Sequence, residues 1–118
     1  MKTLPLSLCA VALAAATALA ADISGTWNVE GDVVGNPVKF ACTLTQDGET
    51  LAGTAKVEGN DVQVTGTAKD ATVTFEFDTE HQGTTYHLVF TGTLGDDGGL
   101  KGRIAVAGVE GTFTAKKQ

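Results

Sequence analysis

What this sequence lacks first is helical spacing. Beyond residue 20 no stretch repeats apolar residues three and four apart, which excludes a helical bundle and a strand–helix alternation. Cysteine is scarce too. Cys9 lies in the N-terminal segment and Cys42 stands alone, so the folded part holds no internal disulfide. Basic residues are outnumbered, 8 Lys and Arg against 14 Asp and Glu, for a net charge of −6. An acidic chain repels phosphate backbones and anionic lipid, which argues against nucleic acid and membrane surfaces as partners. Ser24 is the only serine beyond residue 20 and has no His or Asp in a triad order. No glycine-rich phosphate loop joins a strand to a helix. The chain is therefore expected not to be an enzyme, and neither a catalytic residue nor a cofactor is predicted.

The first twenty residues read as a secretory signal. Lys2 gives a charged start, Leu4 to Ala16 is apolar, and Ala18-Leu19-Ala20 fits the small-x-small cleavage rule. Cleavage there starts the mature chain at Ala21 and leaves 98 of the 118 residues, enough for a single domain over 21–118. It predicts a periplasmic or secreted protein with no retained anchor.

What is there, over and over, is alternation. In "PVKFACTLT", Val38, Phe40, Cys42 and Leu44 point one way, and Lys39, Ala41, Thr43 and Thr45 the other. In "ATVTFEFD", Val73, Phe75 and Phe77 alternate with Thr72, Thr74, Glu76 and Asp78. The same pattern over 23–30, 51–58, 62–69, 85–94, 100–106 and 109–116 makes eight strands. Turn signals separate them at Gly31 to Pro37, Gln46-Asp47-Gly48, Gly59-Asn60, Lys69-Asp70, Glu80 to Gly83, Asp96 to Gly99, and Ala107-Gly108. Short connections make neighbours antiparallel, and a meander with one apolar face removes its edges by closing. The expected fold is all-β, an eight-stranded antiparallel up-and-down barrel from Ile23 to Lys117, with an open two-sheet sandwich as the alternative.

Gly-Thr recurs at 53–54 and 66–67. If Gly59-Asn60 is a two-residue turn, Val57 faces Val62, Ala55 faces Val64, Gly53 faces Gly66 and Leu51 faces Ala68. The threonines after these glycines face outward, where a β-branched hydroxyl residue suits both strand and water. Such an exterior predicts a monomer. Gly25, Gly53, Gly66, Gly92, Gly102 and Gly111 fall on the inward face, where glycine weakens a strand. They either relieve crowding in a tightly coiled barrel or leave a lumen for a small molecule.

By alternation the interior holds Ile23, Trp27, Val29, Val38, Phe40, Cys42, Leu44, Leu51, Val57, Val62, Val64, Val73, Phe75, Phe77, Tyr86, Leu88, Phe90, Leu94, Leu100, Ile104, Val106, Val109 and Phe113. It carries no charge, and its only polar groups are the Tyr86 hydroxyl and the Cys42 thiol. It suits an apolar guest or none. The candidate ligand-binding residues are Trp27, Phe40, Cys42, Phe75, Phe77, Tyr86, Phe90 and Phe113. On the outside, Glu76, Asp78, Glu80, His81 and His87 form the one polar cluster, with Glu76 facing His87 if Phe77 faces Tyr86. It reads as a solvated charged face, and no metal is predicted there. Asp96-Asp97-Gly98-Gly99 reads as a hairpin turn, since it lacks the oxygen ligands of a calcium loop.

"SGTW" at Ser24–Trp27, opening the first strand, resembles the start of avidins and lipocalins, and "GTFTAKK" at Gly111–Lys117 resembles the last strand of avidins. The resemblance implies a calycin-like barrel with Trp27 closing one end. The avidin pocket is not matched: Trp27 is the only tryptophan, and Asn28 beside it faces outward. With "TLTQDG" at 43–48 and "LAGT" at 51–54, the chain is also similar to a group of small secreted bacterial proteins, which implies an address and a fold. Two functions are expected: a secreted or periplasmic binding module for a small apolar ligand, or a dry barrel acting as an interaction or accessory domain.

Overall fold

In the computed structural model, which describes residues 22–118, the alternation becomes strand throughout. The strands are β1 (Gly25–Val33), β2 (Asn36–Asp47), β3 (Thr50–Val57), β4 (Asn60–Lys69), β5 (Thr72–His81), β6 (Thr84–Leu94), β7 (Leu100–Val106) and β8 (Val109–Lys117). Each pairs antiparallel with the next, and β8 returns to β1, setting Trp27 opposite Lys117 and Asp32 opposite Thr112. The sheet is a closed barrel, and the open sandwich is excluded.

Val34-Gly35 and Gln82-Gly83 are tighter turns inside the expected Gly31–Pro37 and Glu80–Gly83 spans, Gly95–Gly99 covers the expected Asp96–Gly99, and the turns expected at 46–48, 59–60 and 69–70 are shifted by one residue. β1 runs on to Val33 and β2 starts at Asn36, so Val34-Gly35 replaces the long Gly31–Pro37 loop. The β3–β4 hairpin turns at Glu58-Gly59, not at Gly59-Asn60, in a type I′ turn, which has φ > 0 at both central residues and here takes glycine second. Glu58 has φ 51° and Gly59 φ 83°. The pairing slips by two residues, so every side chain keeps its face. Gly53 now lies opposite Val64, and Gly66 opposite Leu51. Gly48-Glu49, Asp70-Ala71 and Gln82-Gly83 are likewise two-residue turns, and Gly95–Gly99 is the one longer loop. Ala107-Gly108 falls where the sequence put it.

Glycine serves the backbone of the neighbouring strand. A Cβ on Gly53 would overlap the Thr43 carbonyl oxygen, and one on Gly66 the Thr74 carbonyl oxygen. Gly102 and Gly111 stand the same way toward the Thr91 and Asp32 oxygens. Close approach of the neighbouring strand, rather than lumen volume, explains these four inward glycines, while a Cβ on Gly92 would meet the Phe113 ring.

The core follows the inward face. No polar or charged residue is buried among the described residues. Val109 departs from expectation: it sits beside the last turn and is 43% exposed. Val33, Ala55, Ala68 and Ala115 are buried although the sequence reading left them out.

Candidate functional site

The five phenylalanines among the eight candidate lumen residues converge and fill the space they were expected to line, whereas Trp27 and Tyr86 sit at opposite ends. Phe90, from the middle of β6, is 0% exposed. Its ring stacks on Phe75 at 4.8 Å and meets Phe40, Phe77 and Phe113 at 5.4, 5.5 and 5.3 Å. Trp27 is buried at one end, where its Nε1 donates to the Ile23 carbonyl at 2.9 Å. Ile23, Leu44, Leu51 and Leu100 are buried at the same end. Gln46 and Ser24 tie it down: Gln46 Oε1 accepts the Ile23 N–H at 2.8 Å, and Ser24 Oγ accepts the Gln46 N–H at 2.9 Å. Cys42 is free and buried, and burial pushes its thiol up to about 12, far from a thiolate nucleophile. Tyr86 alone of the eight is half-buried. It belongs to the other end, where Val38, Val57, Val62 and Val106 are also only partly covered. Cavities of 310 to 540 Å³ flank the barrel; Phe113 lines one and Phe40 another, and the other six candidates line none of these.

The outer cluster on β5 and β6 is arranged differently from the sequence expectation. The Gln82-Gly83 turn sets His87 opposite Asp78, and Tyr86 opposite Thr79. His87 Nδ1 lies 2.6 Å from Asp78 Oδ1, and Nε2 lies 3.5 Å from Glu76 Oε1. The Asp78 hydrogen bond and the two negative charges raise the His87 pKa. The Asp97 carboxylate is spent inside its own loop, accepting the Gly99 N–H at 3.0 Å, which lowers its pKa.

One feature of the barrel wall was missed from sequence. β4 and β5 pair only from Lys69–Thr72 to Thr65–Glu76, although β4 begins at Asn60 and β5 continues to His81. The other pairings run to within one residue of the end of a strand. Two causes act together. At Gly66, opposite Phe75 and one residue from the last pair, the strands approach so closely that no Cβ would fit. Continuing the ladder would also set Asp61 opposite Glu80, and like charges across a ladder are destabilising. The open seam is bridged at its tip, where His81 Nδ1 meets Glu58 Oε1 at 3.4 Å. A groove of about 430 Å³ follows the seam, lined by Asn60, Val62, Asp78, Thr79, Glu80 and Thr85. The only sequence signal for it was the acidic run Glu76, Asp78, Glu80 on one strand face, but its partner strand was hidden until the turns fixed the register.

No protein-family model, curated protein or solved structure matches this chain.

Proposed function

We propose that this chain is a non-catalytic filled barrel that acts through its outer surface, as an exported interaction or accessory domain. The observation that carries this reading is the aromatic packing of the lumen. A guest would have to displace the rings around Phe90, and close-packed interiors do not yield such space cheaply. The buried, protonated Cys42 and the bonded Ser24 hydroxyl support the absence of catalysis. The partly covered apolar rim of Val38, Val57, Val62, Tyr86 and Val106 favours one second reading, a small apolar ligand seated at that end. A native mass spectrum of protein purified from its own host tests both. The expected result is the bare mass of a chain starting at Ala21, together with no uptake of apolar fluorescent probes of any chain length. A retained apolar molecule would overturn the filled-barrel reading in favour of the second one. A mass that includes the first twenty residues would overturn the export it assumes.

A further inference from the structure

We propose that the open β4–β5 seam is a docking site for an extended basic segment of another protein, added as a strand. The proposal rests on the reading of the barrel as a surface-acting domain and names the partner. Its first ground is the backbone. Over 60–64 and 77–81 both strands continue without pairing each other. In a strand, successive N–H and C=O groups point to alternate sides, so part of each stretch aims its donors and acceptors into the seam. Five positions at about 3.3 Å give an edge of about 16 Å, the length of roughly a five-residue strand. Strand addition supplies main-chain hydrogen bonds, and alternate side chains supply specificity.

Charge selects the occupant. Glu76, Asp78 and Glu80 stand on the outer face of β5 at every second position, with Asp61 across the seam and Glu58 at its tip. Lys56 lies 3.5 Å from Asp61, His87 2.6 Å from Asp78 and 3.5 Å from Glu76, and His81 3.4 Å from Glu58, so among the described residues Glu80 is the carboxylate of this edge with no basic side chain within 4 Å. A strand with Lys or Arg at alternate positions meets that row in register, and its intervening side chains turn toward Val62 and Thr79. A second copy of this chain does not fit. It would bring its own Asp61 or Glu80 against the same carboxylates, and each copy carries a net charge of −6.

The test uses a fluorescein-labelled peptide of alternating Lys and Val, about seven residues long, titrated into the purified protein and followed by anisotropy and backbone NMR. Binding is expected to weaken as salt rises, with shifts confined to 60–64 and 77–81. The same peptide with Glu for Lys should not bind, and one with proline at alternate positions should bind at least tenfold more weakly, because proline lacks the N–H. Glu80→Lys places an opposite charge across from Asp61, should zip the seam, and should cost at least tenfold in affinity. Asp47→Lys makes the same change of charge at the end of β2, at the other end of the barrel, and should bind as the parent does. No binding, equal binding of the acidic peptide, shifts elsewhere, or equal losses from Glu80→Lys and Asp47→Lys would each overturn the proposal. An apolar probe taken up by the same protein would instead overturn the filled-barrel reading, so the two failures are distinct.

Discussion

Adding one methyl group at position 66 separates two accounts of the inward glycines. If glycine left space for a ligand, Gly66→Ala would fold as well as the parent, since a methyl group would enter a void. The Cβ would instead meet the Thr74 carbonyl oxygen and the Phe75 backbone, neither of which can rotate away. Overpacking against a fixed backbone costs about 1–3 kcal/mol. Gly66→Ala is therefore expected to lower the unfolding free energy by that amount, read as a lower urea midpoint with an unchanged slope. Gly53→Ala should behave alike, because its Cβ would meet the Thr43 carbonyl oxygen. Parent-like stability in both variants would restore the ligand-space account.

At the scale of elements, the β5–β6 hairpin carries a pH signature. The Asp78 hydrogen bond, the first cause, holds the His87 pKa above its ordinary value of 6.5. The folded chain thus keeps its proton more tightly than the unfolded chain does. The stabilisation is fully present below 6.5 and is lost as pH rises through the folded value. Melting temperature should fall over that interval, and Asp78→Asn should flatten the fall. An NMR titration of the imidazole should find the pKa raised in the parent and lowered again in Asp78→Asn. Equal values in the two proteins would mean that the 2.6 Å contact does not govern the proton. The hairpin also marks how far sequence reasoning reached. Alternation alone placed Phe75, Phe77, Leu88 and Phe90 inside, because a slip of two residues leaves faces unchanged. It paired His87 with Glu76 instead of Asp78, because register depends on which two residues make the turn. The lumen residues were found for the same reason that their partners were not: face is local, and register is not. Whether the lumen was filled was not legible either, since ring packing around Phe90 depends on how sharply the glycines coil the strands.

For the whole molecule, closure and opening occur in one barrel. β8 meets β1 along Asp32–Thr112 to Trp27–Lys117, and Gln118 adds an N–H to the Thr26 carbonyl at 2.9 Å. That seam ties the two ends of the described chain together, so its amides should open only when the barrel unfolds globally. The β4–β5 seam is tied at its base by Thr65–Glu76 and at its tip by one exposed contact, His81 with Glu58. Exposed ion pairs contribute little, so between those points the amides that face the seam have only water or a docked strand for partners. Native-state hydrogen exchange is expected to rank them accordingly. Amides in the β1–β8 ladder should be protected near the global limit. Those of 60–64 and 77–81 that point into the seam should exchange orders of magnitude faster, while their neighbours pointing into β3 and β6 stay protected. Glu80→Lys should raise protection on the seam side alone, because Asp61 would then face an opposite charge. Uniform protection on both sides of β4 and β5 would mean that the ladder zips to the Glu58-Gly59 turn in solution, and that the seam is no opening at all.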